Sequence, residues 1–474
     1  MPANDIDLLS INRGTVTAPA GCGKTHLIAA AVARHTGAKP ILVLTHTNAG
    51  VAALRGRLGL AGAPSKAYCL STIDGWAMKV IATFPLRSAH DPNILKPVDQ
   101  KIDYAAIRTA AMQVVKTGHV SDILVASYAR LIVDEYQDCA MQQHLLVTHT
   151  ADILPVCALA DPMQALFSFG GNKPPEWDEV CRTFPIAGEL TMPWRWINAG
   201  AEDLARWLLD VRARLERGQA IDLRTAPAAV RWVELGGKED HRRQSLAARV
   251  RPQLLNGHVL IIGDSANPNA QARFASQTPG AVAVEAVELR DLVSLSLQLD
   301  IAGPDALEQI VTFGQSVMIN AGAKELLKRI RVLTRSTARK RATDAENAAL
   351  AFVRAPSYGG ASEVLLAIRR KADVRAYRPA SLKTCIKALQ ICHASSATTF
   401  HDAAVRMREE NRLMGRPLPK RAVGSTLLLK GLQAEVAVIL NADALDTRNL
   451  YVAMTRGSTA LAVCSRQPVL HPKS

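Results

Sequence analysis

The chain has 474 residues, 48% of them apolar and 21% charged. Such proportions fit globular domains with sizeable cores, and exclude a disordered, collagen-like or disulfide-built chain. Lys and Arg number 57 against 42 Asp and Glu, a formal net charge of +15, which points to a polyanionic partner such as nucleic acid. The eight cysteines are scattered, with no C-x-x-C pair. Neither a zinc knuckle nor an iron–sulfur cluster is supported, and the usage fits a reducing compartment. Residues 1–13 hold no apolar core of signal-peptide length, and no apolar run reaches membrane-spanning length. A soluble cytoplasmic protein is expected.

The first third alternates short apolar runs with helical stretches, the pattern of a parallel α/β sheet. Gly14 to Thr17 reads as a strand and Lys24 to His35 as a helix. Strands follow at Ile41 to Thr45, Leu131 to Asp134 and Val156 to Ala160, with a polar, helix-leaning insert at Met78 to Val120. A long helix is predicted from Ala199 to Arg217, then strands at Val230 to Leu235, Val259 to Ile262 and Ala281 to Val287. From Leu289 to Glu410 the pattern is helical and basic, densest at Lys324 to Arg341. The apolar series Leu289, Leu292, Val293, Leu295, Leu297, Leu299 and Ile301 reads as a docking surface or an internal helical core. Strands return at Ser425 to Leu429, Val436 to Leu440 and Leu461 to Cys464.

Between the first strand and helix lies Ala18-Pro19-Ala20-Gly21-Cys22-Gly23-Lys24-Thr25. Small residues there let backbone N–H groups close around phosphate, aided by the positive end of the helix. Lys24 is placed to reach the β- and γ-phosphates of a nucleotide, and the Thr25 hydroxyl to ligate Mg²⁺. Cys22 stands at a helix N-terminus, where thiolate is favoured, but a small residue chosen only to fit the loop is the better reading. The strand Leu131-Ile132-Val133 ends in Asp134-Glu135-Tyr136-Gln137-Asp138. Asp134 suits Mg²⁺, and Glu135 suits orienting and deprotonating an attacking water.

Together with these two segments, a series of later ones resembles superfamily 1 helicases of the UvrD/Rep type. The segments are Leu44-Thr45-His46-Thr47-Asn48, Ser71-Thr72-Ile73-Asp74-Gly75-Trp76 and Asp161 to Gly171, then Met192-Pro193-Trp194-Arg195-Trp196, Leu429 to Gln433 and Asn449 to Gly457, in that order. The resemblance implies an α/β fold: two RecA-like P-loop NTPase motor domains with mostly helical insertions. It places the first domain at 1–77 and 121–190 with a small helical insert at 78–120. The second falls at 191–288 and 411–474, with a basic helical insert at 289–410. It implies an ATP hydrolase and DNA helicase moving 3′→5′ on single-stranded DNA, with ATP and Mg²⁺. Gln164 would sense the γ-phosphate. Trp194 would pack on adenine, Arg195 would contact the γ-phosphate, Arg456 would be the arginine finger, and Gln433 would reach the ribose. The loop residues Ala20, Gly21, Cys22, Gly23, Lys24 and Thr25 would bind ATP. His46, Thr47, Asn48, Thr72, Phe167 and Phe169 would meet the DNA strand.

Departures from the family pattern are visible. Ala18 replaces Gly, His46 replaces Phe, Leu427 replaces His and Gln433 replaces Glu. Phe167 and Phe169, at alternate positions, also fit one face of a buried strand. Arg339, Lys340 and Arg341 are candidates for a DNA track, on a stretch whose Leu326, Leu327, Ile330 and Leu333 give it a packed side as well. A nucleotide-gated regulatory ATPase that activates or recruits a partner nuclease is the competing function. The compact format is similar to that of the helicase subunit of the Gabija antiphage system, which implies a nuclease or other protein partner and a role in antiviral defence.

Overall fold

Two six-stranded sheets organise the chain in the computed structural model, which describes residues 6–95, 100–166, 173–253, 256–286, 289–335, 340–395, 397–413 and 418–473. The first sheet is built from β1 (Arg13–Thr17), β2 (Ile41–Thr45), β3 (Tyr68–Thr72), β4 (Arg130–Val133), β5 (Val156–Ala160) and β6 (Ile186–Glu189). Its order is β3-β2-β4-β5-β1-β6, and every neighbouring pair runs parallel. A central parallel strand is covered on both faces, which is why these strands read as unbroken apolar runs. Ile41 and Val43 turn to a layer with Leu8, Ile28, Val32 and Leu54. Leu42 and Leu44 turn to the opposite layer with Trp76, Val80, Leu146 and Phe184.

Helix α1 (Lys24–Arg34) follows β1, α2 (Asn48–Leu60) follows β2, and α3 (Ile73–Thr83) follows β3. Residues 78–120 are less polar in space than in sequence. Ile107, Ala111, Val114 and Val115 of the helix Gln100–Lys116 join the same core as Leu42 and Leu44.

The later strands are β7 (Ile221–Asp222), β8 (Val230–Glu234), β9 (Val259–Ile262), β10 (Val282–Ala283), β11 (Met318–Ile319), β12 (Arg375–Ala376), β13 (Arg421–Gly424), β14 (Ala434–Ile439), β15 (Gly457–Ser465) and β16 (Val469–Leu470). The second sheet has the order β10-β13-β9-β14-β15-β8, with β10, β13, β9 and β14 parallel. The architecture is thus α/β, two RecA-like sheets with mostly helical insertions. Two compact units divide the chain: Met1–Trp232, Ala442–Leu461 and Ser465–Ser474 form one, Val233–Asn441 and Ala462–Cys464 the other.

In the second unit, helices from Arg290 to Leu413 surround their own core of Leu292, Leu295, Ile310, Val317, Phe352 and Leu389, among others. The apolar series from Leu289 is largely spent there: Leu289, Leu292, Leu295 and Leu299 are buried, while Leu297 is exposed. Those four residues therefore serve an internal helical core rather than a docking surface.

Two strand expectations need correction. Ser425 to Leu429 is not a strand, because Thr426–Leu429 is a helical turn capped by Ser425, whose Oγ accepts the Leu428 N–H at 3.3 Å. The strand lies just before it, as β13. At Ala281 to Val287 only Val282–Ala283 is extended into a strand among the described residues, and Val287 lies outside them. No helix among the described residues is long and apolar enough to cross a membrane.

Candidate nucleotide site

Loops that bind ligands in open parallel sheets lie at the carboxyl ends of the strands. Here β4 and β5 are neighbours, as are β5 and β1. The Ala18 N–H donates to the Ala160 carbonyl at 2.9 Å, and the Asp134 N–H to the Leu44 carbonyl at 2.8 Å. The small-residue loop, Asp134 and Asp161 consequently leave the sheet at one edge.

The loop's shape depends on two glycines. Gly21 has φ +76° and Gly23 φ +92°, a region costly for residues with a Cβ. At Gly21 a Cβ would also lie 2.5 Å from the Trp196 ring. Ala18, in the position where the family pattern has Gly, has no positive φ and so tolerates its methyl group. Gly23 caps α1 without a side-chain bond, so first-turn N–H groups remain for an anion. Lys24 is buried and its Nζ donates to the Ala18 carbonyl at 3.2 Å. Thr25 beside it is half-buried.

Cys22 contradicts the thiolate expectation. It is buried, and burial raises its thiol to about 12, Lys24 opposing that only in part. Desolvation outweighs the helix terminus, so this residue fills space in the loop.

Asp134 is buried at the end of β4, and its Oδ1 accepts the Glu135 N–H at 3.0 Å. Burial, and then the Glu135 carboxylate, push its pKa up to about 7 against the pull of Lys24. Glu135 adopts φ +55°, rare outside glycine and concentrated at functional sites. The Gln137 amide donates to the Glu135 carboxylate, and its oxygen accepts the Asp161 N–H at 3.0 Å. One glutamine thereby ties the acidic segment to the turn after β5.

Residues far along the chain meet this loop. The Arg195 N–H donates to the Gly21 carbonyl at 3.1 Å. Its Nη1 donates to the Thr455 carbonyl at 2.5 Å and its guanidinium lies 5.3 Å from the Trp196 ring. Its Nε is buried with no hydrogen-bond partner among the described residues, and burial with the nearby Arg456 charge lowers its pKa to about 9. Trp196 is core, its indole donating to the Gly457 carbonyl at 2.9 Å. Trp194 is half-buried, 3.3 Å from where a Cβ on Gly23 would sit.

Gln164 and Arg456 are both buried. Gln164 donates to Asp161 Oδ2 at 2.7 Å and accepts from Arg456 Nη2 at 3.3 Å. Burial lowers the Arg456 pKa, and Glu135 is the chief carboxylate opposing that. Arg195 at the small-residue loop, its buried Nε without a partner among the described residues, suits a polyphosphate.

Residues 8–170 match a family model described as an AAA domain. This segment is a P-loop ATPase domain. No curated protein matches the chain.

The P-loop ATPase segment also contains most of the residues assigned to DNA. Thr47 and Thr72 are the N-caps of α2 and α3, their Oγ1 atoms accepting the Gly50 and Gly75 N–H groups at 3.0 and 2.9 Å. They stand at the ends of β2 and β3, where Thr45 lies opposite Thr72. Thr47 is exposed, and His46, Asn48 and Thr72 are half-buried. Phe167, Phe169 and Arg339 lie outside the described residues. Lys340 and Arg341 are exposed in the second unit. Gln433 is exposed there too, one residue before β14.

Sequence reasoning missed four members of the site: Gln137, Asp161, Arg212 and Tyr451. The first two lie in segments already singled out, as does Tyr451, in Asn449 to Gly457. Arg212 carries no signal, being one of three arginines on the helix Glu202–Glu216.

Proposed function

We propose that the chain is an ATP-driven motor on single-stranded DNA, a translocase or helicase of the UvrD type moving 3′→5′. The observation that carries the reading is that Arg195, far downstream, donates its backbone N–H to the Gly21 carbonyl of the phosphate loop, while Gln164, held by Asp161, accepts from Arg456. Arg195 Nε is a buried donor with no partner among the described residues, which fits a phosphate oxygen. Thr25 and Asp134 would hold Mg²⁺, which when bound supplies positive charge to the phosphates and relieves the buried Asp134 carboxylate. Lys24 neutralises phosphate charge. Glu135, its carboxylate oriented by Gln137, takes a proton from the attacking water. Arg195 and Arg456 meet the charge that grows as the terminal phosphate transfers.

Support for the DNA side comes from the paired caps. Thr47 and Thr72 each use one oxygen lone pair on a backbone N–H and retain a hydroxyl proton to donate to a phosphate. The +15 charge adds attraction without sequence preference.

ATP hydrolysis by the full chain, measured with and without single-stranded DNA, tests the reading. DNA is expected to raise the rate. Glu135→Gln is expected to bind ATP normally and lose at least ~100-fold in turnover, while Lys24→Ala loses productive binding. Turnover near normal in Glu135→Gln would sink the catalytic assignment. A rate indifferent to nucleic acid would favour a regulatory ATPase acting on a protein such as a nuclease.

A further inference from the structure

We propose that Tyr451, held by Arg212 and Asp161, sets the preference of this site for a nucleoside triphosphate over the diphosphate. It does so by fixing the phosphate loop relative to Gln164 and Arg456. The proposal rests on the ATP reading above and assigns the discrimination to residues that do not themselves meet the nucleotide.

A phenol has one proton to give and two lone pairs to offer. All three are engaged at Tyr451. Its oxygen accepts the Ala20 N–H at 3.0 Å and Arg212 Nη1 at 3.0 Å, and its proton points to Asp161 Oδ2 at 3.4 Å. Arg212 also lies over the ring, 5.2 Å from its centroid. The residues concerned are 431, 239 and 290 positions from Tyr451 in sequence, so the contact joins the Tyr451 segment to three distant ones.

Asp161 is the hub. It is fully buried and accepts Arg212 Nη1 at 2.6 Å and the Met163 N–H at 3.2 Å on Oδ1. Its Oδ2 takes the Gln164 amide at 2.7 Å as well as the phenol. With the Gln164 NH₂ held there, its carbonyl oxygen is directed to Arg456. A buried carboxylate with this many donors is fixed by them and orders them in turn. Burial works against charge on Arg212, but Asp161 more than compensates and raises its pKa. Burial, reinforced by Asp161, raises that of Tyr451, so the phenol keeps its proton at neutral pH.

The Ala20 N–H is already taken by Tyr451 and is not offered to phosphate. Removing the hydroxyl therefore subtracts no nucleotide contact. What it removes is a side-chain tie between the loop and the Asp161–Gln164–Arg456 chain, one that the Ala18–Ala160 and Arg195–Gly21 backbone bonds do not replace in direction. A diphosphate needs the loop, Lys24 and Thr25. A triphosphate needs in addition Gln164 and Arg456 at the correct distance from that loop. The two ligands should thus respond unequally.

The test is binding of ADP and of a non-hydrolysable ATP analogue to the full chain, in the wild type, Tyr451→Phe and Arg212→Lys. Tyr451→Phe keeps the ring and its packing. It is expected to weaken the analogue by ~10-fold, or about 1.4 kcal/mol, and ADP by less than ~2-fold. Arg212→Lys keeps the charge but not the fork, and should shift the ratio in the same direction by less. Equal weakening of both nucleotides overturns the proposal, as does an unchanged ratio. If Tyr451→Phe does not fold, the ratio in Arg212→Lys decides. Wild type that binds neither nucleotide defeats the ATP reading itself. Wild type that binds both equally leaves that reading standing and defeats only this inference.

Discussion

Asp134 shows how a single residue links chemistry to stability. An unperturbed aspartate titrates near ~3.9, whereas burial and the neighbouring Glu135 bring this one up to about 7. The folded protein therefore binds the proton more tightly than the unfolded chain. Stability contributed by this group is highest below ~4 and falls as pH rises through about 7, where the carboxylate must ionise in a buried place. Asp134→Asn keeps the shape and cannot ionise. Without added metal or nucleotide, the stability of Asp134→Asn relative to wild type is expected to grow between pH 5 and pH 8. Denaturant unfolding at both pH values measures it, and a constant difference would show that Asp134 is not forced to ionise in a buried site. The same desolvation works in the opposite functional sense at Cys22, where it silences a thiol that its helix terminus alone would activate.

At the scale of elements, a buried ion pair fastens the helix Gln100–Lys116 to α3. Arg108 Nε and Nη2 each lie 2.7 Å from the Asp74 carboxylate, which also accepts Gln143 Nε2 at 2.8 Å. The Gln143 oxygen in turn accepts the Ala140 N–H at 2.9 Å, next to the acidic segment after β4. Burial opposes ionisation of Asp74, but the Arg108 and Gln143 bonds outweigh it and hold the pKa below the usual range. With the side chains only 9% and 14% exposed, removing one partner strands a buried charge. Arg108→Met should cost about 3–5 kcal/mol in unfolding free energy, and Arg108→Met with Asp74→Asn less than the sum of the single changes. Additive losses in denaturant unfolding would show that the pair does not act as a unit. How far such elements were legible in sequence follows from burial. β2 and β5 are buried on both faces and read at once as apolar runs. β3 and β6 are edge strands, half-buried or exposed, and their Tyr, Ser, Gly and Glu residues hide them. Thr426 to Leu429 is apolar enough for a strand, yet the Ser425 cap turns it into helix. The phosphate loop and acidic segment were readable because their chemistry is local. The Tyr451–Arg212–Asp161 contact was not, because no spacing along the chain encodes a meeting of residues 51 to 290 positions apart.

For the whole molecule the governing quantity is charge. The +15 excess attracts any polyanion, and binding through phosphate contacts releases counterions from the nucleic acid. Not every cation in the basic stretch is available for that role. Arg329 pairs with Glu346 at 3.2 Å and also donates to the Lys340 carbonyl, so it holds the stretch together. Lys324, Lys328, Arg331, Arg335, Lys340 and Arg341 are exposed, while Leu326 and Ile330 bury the opposite side. The helix Ala323–Thr334 is thus amphipathic, with a packed face that fixes it and a charged face that meets solvent. Single-stranded DNA binding is expected to weaken linearly in log–log form with salt, by ~0.7 per phosphate contact. Reversing Lys340 and Arg341 to Glu removes up to two contacts and should flatten the slope by as much as ~1.4, while leaving the basal ATPase rate unchanged. Arg329→Gln, in contrast, should lower stability with little change in slope. Fluorescence anisotropy across a salt series gives the slope, and denaturant unfolding separates the two variants. A slope untouched by the double reversal assigns these two cations to solvent or to a protein partner. Should native-host purification then recover the chain with a nuclease, the exposed basic face would be the first surface to map against it.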